Sequence, residues 1–280
     1  MTNMTQINSA ILTLLLIIDP QKDFMTSNAF TGSLSVPGAD DDMKRLAQHI
    51  NVTTPDSIVI TMDTHARMHI ANPMYWLDAE GNHPGQFTLI TVDDVESGKW
   101  RTADPTKQER ALHYVKELAK TNRYTLCIWP YHCIEGTEGH EVSELLKPAL
   151  DAWEEKTGKK VVYIYKGQNP DTEMYSGLKA EVVIPNDPRT HLNQGAIDYM
   201  KGFDKIEVSG EAKSHCVAST AMDLIAALGE DATKVSLLEN AMSSVPGFEK
   251  NGDSFVEQAV KLGCKLETLP EVASKKLKMA

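Results

Sequence analysis

Ile11-Leu-Thr-Leu-Leu-Leu-Ile-Ile18, closed at once by Asp19-Pro-Gln-Lys-Asp23, is the stretch that decides how this chain folds. A half-buried strand would alternate polar with apolar residues; this run does not alternate, so it reads as a strand covered on both faces. A secretory leader does not fit, because no positive segment precedes the run and charged residues follow it in place of a small-residue cleavage site. Crossing a bilayer would take about 20 apolar residues, which the run lacks. It is therefore expected to be an interior strand, with the first ten residues as a ragged terminus.

Similar β-rich runs recur at residues 57–62, 125–129, 161–165, 205–208 and 235–238. Between them Met43, Leu46, Ala47 and Ile50 share one helical face, as do Val217, Ala221, Leu224 and Leu228, and again Phe255, Ala259 and Leu262. Strands alternating with helices imply an α/β fold, a mostly parallel central sheet with helices on both faces. The rhythm breaks at about 71–105, where Pro73, Pro84 and Pro105 and the glycines at 81, 85 and 98 surround Tyr75, Trp76, Phe87 and Trp100. This is expected to be an insertion within a single domain spanning 1–280. It forms either a lid, an oligomer contact or a loop packed on itself.

With 280 residues, 41% hydrophobic and 24% charged, the chain is long enough for one substantial core. A net charge of −11 without a Lys/Arg-rich run argues against nucleic acid or a membrane as partner and leaves small molecules. Cysteines at 127, 133, 216 and 264 have neither paired CxxC spacing nor the density of a disulfide scaffold. Reduced thiols in a cytoplasmic protein are expected.

Open parallel sheets bind ligands beyond the carboxyl ends of their strands. Asp19 follows the first run, Asp63 and His65 the second, His132 the run 125–129, Lys166 the run 161–165, and Cys216 lies beyond 205–208. One sheet edge thus collects an acid, an ammonium, a thiol and a set of possible metal ligands. Cys216 sits in Gly210-Glu-Ala-Lys-Ser-His-Cys-Val217, a tight connection into a helix, where free N–H groups and the helix dipole favour a nucleophilic thiolate. Cys127 and Cys264, in apolar strands, read as inert core thiols, while Cys133 fits either role. A buried Asp19 needs a partner, which Lys166 offers; beside Cys216 the carboxylate is able to accept the thiol proton while the ammonium holds it in place.

Asp63 and His65 lie two apart on extended chain and so face the same way; His132 completes a three-ligand N/O set suited to Zn²⁺, Fe²⁺ or Mn²⁺. His69 is expected beside that set or in solvent rather than as a fourth ligand. His215 would point away from Cys216 on a helix, which disfavours a Cys/His dyad.

As a set these segments resemble the nicotinamidase and isochorismatase-like cysteine hydrolase family. Leu16-Ile-Ile-Asp-Pro-Gln-Lys-Asp-Phe24 is similar to its opening motif and Gly32-Ser-Leu-Ser-Val-Pro-Gly38 to the segment that follows. Asp63-Thr-His-Ala-Arg-Met-His69 resembles the metal motif, Trp129-Pro-Tyr-His-Cys-Ile-Glu-Gly-Thr-Glu-Gly139 the next block, Lys166-Gly167 the lysine block and Gly210-Glu-Ala-Lys-Ser-His-Cys216 the nucleophile block. The resemblance implies an isochorismatase-like hydrolase fold, a Rossmann-like three-layer sandwich, acting as a homo-oligomer. It implies that Cys216 attacks an amide carbonyl to give a thioester, with Asp19 passing the proton to leaving ammonia and then activating water, and Lys166 completing the centre. The substrate it implies is nicotinamide, giving nicotinate in NAD metabolism, with one divalent transition metal, zinc first and iron or manganese next, anchoring the pyridine nitrogen. Phe24 and Trp129 would pack on the ring.

The resemblance also implies a cis peptide between Glu211 and Ala212, with the N–H groups of Ala212 and Cys216 forming an oxyanion hole. The Glu211 side chain is then expected to turn to solvent or to Lys213. Two features depart from the family pattern: Glu211-Ala-Lys-Ser stands where an apolar residue followed by Ala-Thr-Asp is usual, and the insertion is large. They leave open another small carboxamide, a ureido or carbamoyl compound, isochorismatase-type hydrolysis, or a silent binding or assembly role.

Overall fold

The computed structural model describes residues 11–26, 31–121 and 123–272; the first ten residues lie outside them. The strands are β1 (Thr13–Ile18), β2 (Ser57–Asp63), β3 (Trp76–Leu77), β4 (Leu89–Ile90), β5 (Arg101–Thr102), β6 (Leu126–Cys127), β7 (Val162–Lys166), β8 (Lys205–Gly210), β9 (Val235–Leu238) and β10 (Lys265–Glu267). The helices are α1 (Ala39–Thr53), α2 (Val92–Glu96), α3 (Gln108–Thr121), α4 (Lys147–Thr157), α5 (Gln194–Lys201), α6 (Ala218–Leu228) and α7 (Glu249–Lys261).

Six strands form one sheet in the order β10-β9-β8-β1-β2-β7, with every pairing parallel. β1 lies between β8 and β2, and Leu14 to Ile18 are all buried, which accounts for a run without alternation. α1 packs against α4, and α6 against α5 and α7. From β1 the chain lays down β2 and then β7 on one side, and returns to build β8, β9 and β10 on the other. The order reverses between β1 and β8, and a crevice opens at such a switch point. Among the described residues no helix is long and apolar enough to cross a membrane.

Three local expectations need correction. The run 125–129 does not join the sheet: only β6 is extended, and it pairs antiparallel with β4 from the 71–105 stretch. Burial beneath that stretch, rather than a place in the sheet, made its residues apolar. The strand expected at 161–165 is β7, displaced by one residue and placed at the sheet's edge, with Tyr163 and Tyr165 exposed rather than covered. Leu262 lies just past the end of α7 and is exposed, so it is no part of that helix's buried face.

Within 71–105, β3 pairs antiparallel with β5, Tyr75 and Trp76 are buried, and Trp76 Nε1 donates to Ile70 O at 2.7 Å. The stretch is thus packed on itself and on its neighbours. Phe87, half exposed, sets its ring edge-on to Trp129 with centroids 5.9 Å apart.

Candidate active site

β1, β2, β7 and β8 deliver their terminal residues to one edge, as expected. Asp19 follows β1 in a left-handed conformation, φ 42°, and its N–H donates to Thr61 O at 3.1 Å. Thr61 Oγ1 donates to Asp19 Oδ1 at 2.5 Å. Lys166, the last residue of β7, has Nζ 2.9 Å from Asp19 Oδ2 and 3.0 Å from Asp63 Oδ1. The same ammonium donates to Met174 O at 3.0 Å and to Cys216 Sγ at 3.5 Å. Burial alone would favour neutral lysine, but Asp19 and Asp63 hold the Lys166 ammonium well above its ordinary range, so it stays charged.

Cys216 lies in a π-helical turn, Lys213–Val217, that runs directly into α6. Its thiol is buried and hydrogen-bonded to Asp19, and burial pushes it well above the ordinary thiol range against the pull of Lys166. The resting group is therefore a thiol and not the thiolate expected from the helix terminus; the desolvation of a buried anion outweighs the dipole here. Burial also raises Asp19, opposed by Lys166 and aided by Asp63. The turn starts at Gly210, whose φ is 113° and where an added Cβ would lie 2.1 Å from Ile18 O, so no other residue fits. The Glu211–Ala212 peptide is cis. Of the other cysteines, Cys127 is pushed up by burial to about 12, Cys264 to about 11, and Cys133 well above the ordinary thiol range.

Asp63, His65 and His132 present ligand atoms within 4.8 Å of one another, all buried. His65 Nε2 is 3.0 Å and His132 Nε2 3.3 Å from Asp63 Oδ2. His132 Nδ1 donates to Pro130 O at 2.8 Å, a bond that leaves the Nε2 lone pair free for a metal. His65 Nδ1 is buried without a hydrogen-bond partner, so the ring is not fully committed to protein groups. Burial would raise Asp63, but His65, Lys166 and His132 hold it well below the usual carboxylate range, so it stays ionised. The donor set therefore suits a divalent cation. Gly167 makes room for the Asp63 and His65 side chains: a Cβ there would stand 2.9 Å from Asp63 Oδ1 and 3.0 Å from His65 Cε1. His69 is buried rather than in solvent, and both ring nitrogens are engaged, Nε2 with Thr172 O at 3.2 Å and Nδ1 with Ala71 N at 3.2 Å.

Between the thiol and this donor set lies a narrow cleft lined by Phe24, Trp129, His132, Tyr175, His215 and Cys216. Phe24 and Trp129 are both among its walls. Sequence reasoning missed Glu173 and Tyr175, which come from a stretch without helix or strand after β7. Glu173 is buried in the same cleft with Oε2 unpartnered, and Tyr175 OH accepts from Trp129 Nε1 at 3.1 Å. Gln21 was missed too: its side chain brackets the Asp63 backbone, Oε1 accepting from Asp63 N at 2.7 Å and Nε2 donating to Asp63 O at 2.8 Å. A glutamine directly after a strand-terminal Asp-Pro was the available signal. His215 faces the cleft instead of away from it, ringed by Tyr124, Trp129, Tyr175 and Phe248, and burial brings it down to about 4.

No family model matches the chain. It is 28% identical over 211 residues to the nicotinamidase of Acinetobacter baylyi, covering 75% of this chain and 72% of that protein. The structure of Acinetobacter baumanii nicotinamidase/pyrazinamidase superposes with a TM-score of 0.63 at 21% identity, covering 93% of this chain and 97% of the other. A Pyrococcus horikoshii pyrazinamidase in complex with zinc superposes with a TM-score of 0.52 at 20% identity, covering 92% and 99%. The resemblance to the nicotinamidases is borne out, and the fold is theirs.

Proposed function

We propose that this chain is a cysteine amidohydrolase that converts nicotinamide to nicotinate and ammonia through a thioester on Cys216. The observation that carries the reading is the contact of one ammonium, Lys166, with Asp19, Asp63 and Cys216 together. Nucleophile, proton acceptor and metal-ligand carboxylate surround a single cation. In this reading Asp19, Lys166 and Cys216 are the catalytic residues, Asp63, His65 and His132 hold the metal, and Phe24 and Trp129 cover the faces of the substrate ring. The chain acts as one hydrolase domain with 71–105 as its insertion, on a free small molecule, in the cytoplasm and as a homo-oligomer.

The Cys216 sulfur bonds to the amide carbon as its proton passes to the Asp19 carboxylate, which burial makes a stronger base. Electron density moves onto the carbonyl oxygen, where the N–H groups of Ala212 and Cys216 receive it. Collapse breaks the carbon–nitrogen bond, and the nitrogen takes the proton from Asp19 to leave as ammonia. Water then attacks the thioester carbon and gives its proton to Asp19. The carbon–sulfur bond breaks, the proton on Asp19 returns to sulfur, and nicotinic acid departs, giving its own proton to the ammonia as it becomes nicotinate. Lys166 remains protonated throughout and keeps Asp19 aimed at the thiol. A divalent ion on Asp63, His65 and His132 would supply a Lewis-acid anchor for the ring nitrogen; zinc is the ion we assign, in line with the zinc of the Pyrococcus horikoshii protein.

Ammonia release from a panel of primary amides, ureido and carbamoyl compounds tests the reading. Nicotinamide is expected to be turned over far faster than benzamide, which lacks the ring nitrogen. Turnover of a ureido or carbamoyl compound, with none of nicotinamide, would overturn it.

A further inference from the structure

Glu211 neither turns to solvent nor pairs with Lys213. It is fully buried, and Lys213 Nζ is 3.2 Å from Asp253 instead. The Glu211 carboxyl meets that of Asp42, in the first turn of α1. Ser243 ties the two together, its N–H donating to Glu211 Oε2 at 3.4 Å and its hydroxyl to Asp42 Oδ2 at 2.5 Å. Glu211 Oε1 is buried and receives no hydrogen bond from the ordinary donors around it.

We propose that Glu211 is a positioning residue, whose carboxyl shares one proton with Asp42 and thereby fastens the turn bearing Ala212 and Cys216 onto α1 and the loop at 240–245. Two buried carboxylates in contact do not both ionise when one guanidinium, Arg45 at 3.5 Å from Asp42 Oδ1, is the facing cation. That guanidinium is drawn on further by Glu271, 3.5 Å from its other nitrogen. Asp40 and Asp41, also on α1, add negative charge to the same corner. Burial and Asp42 together push Glu211 well above the ordinary carboxyl range. The loop at 240–245 grips the turn elsewhere too, through Lys213 N to Ser243 O at 2.7 Å and Val245 N to Ser214 Oγ at 3.1 Å.

The proton is retained below the pair's raised pKa, so the turn is fastened at acid and neutral pH. As pH rises through that value, a second negative charge appears in a buried contact and drives the turn off its seat. Because Glu211 is joined directly to Ala212, such a shift moves the proposed oxyanion donor and the nucleophile out of register. The inference rests on the reading of Cys216 as nucleophile, and its test separates the two.

The full-length wild type, Glu211→Gln and Glu211→Ala are compared for kcat and KM on nicotinamide from neutral to alkaline pH, and for alkylation of Cys216 by iodoacetamide, which requires no amide substrate. Wild-type kcat is expected to decline on the alkaline side. Glu211→Gln, which replaces the shared proton by a permanent N–H, keeps neutral-pH kcat close to wild type and loses that decline. Glu211→Ala loses about tenfold in kcat with little change in KM, the size of one charge-assisted hydrogen bond, and its uncovered Cys216 alkylates faster than in the other two proteins. If wild type yields no ammonia from nicotinamide, the substrate reading fails and the alkylation rates alone judge Glu211. Wild-type kcat or, without turnover, wild-type alkylation in Glu211→Ala overturns the proposal. So does an alkaline decline in Glu211→Gln equal to that of wild type, or its absence from wild type.

Discussion

Lys166 and Asp19 form an ion pair of 2.9 Å in which neither side chain is more than 1% exposed. A buried pair adds little net stability over an apolar substitute, but removal of one partner strands the other charge. Here Lys166 also faces Asp63, so its loss would strand two carboxylates. Lys166→Met is therefore expected to lower stability by about 3–5 kcal/mol, read by denaturant unfolding, and to abolish turnover. Wild-type stability in that variant would mean that the carboxylates are not both ionised around Lys166.

Thr61→Val keeps the shape of β2 but removes the hydroxyl that donates to Asp19 Oδ1. The expected result is a folded protein with kcat lower by about tenfold, since the carboxylate keeps Lys166 and the Cys216 thiol but loses the hydroxyl that fixes Oδ1. An unchanged kcat would assign Thr61 to the fold alone.

Protein purified without chelator is expected to carry about one equivalent of a divalent transition metal per chain, and His132→Ala to lose it. Metal content unaffected by that change would remove His132 from the ligand set. Gly167→Ala checks the same site from the backbone, because its methyl group would intrude between Asp63 and His65. Weaker metal retention is expected there, measured by chelator competition.

Phe87 is the one aromatic of the 71–105 stretch in ring contact with Trp129. An edge-on aromatic pair contributes about 0.5–1.5 kcal/mol, so Phe87→Ala is expected to raise KM for nicotinamide by a few-fold while kcat holds. A loss of kcat with constant KM would point to a role in closure rather than in supporting the ring wall.

The residues that end β1, β2 and β7 were legible because a carboxylate or lysine directly after an apolar run is costly unless used or paired, and the parallel-sheet rule sends such ends to one edge. Cys216 was legible from its place before α6, although its protonation was not, since burial is a tertiary quantity. The run 125–129 misled because an apolar segment covered by a neighbouring loop looks the same as one inside a sheet. Glu173 and Tyr175 reach the cleft from irregular chain, where neither period nor cap announces direction. Glu211 was misassigned because the neighbouring Lys213 offered a local partner, whereas the real one, Asp42, lies far off in sequence at the start of α1.

The most direct test of the central claim is mass analysis of Cys216 in protein quenched during turnover of nicotinamide. A nicotinoyl group bound to Cys216, formed and discharged at a rate that matches ammonia release and absent in an inactive Cys216→Ala protein, is the expected result. Steady release of ammonia by Cys216→Ala, or by wild type with no acyl group on Cys216 under conditions that would trap it, would contradict the thioester route and with it the assignment of the nucleophile.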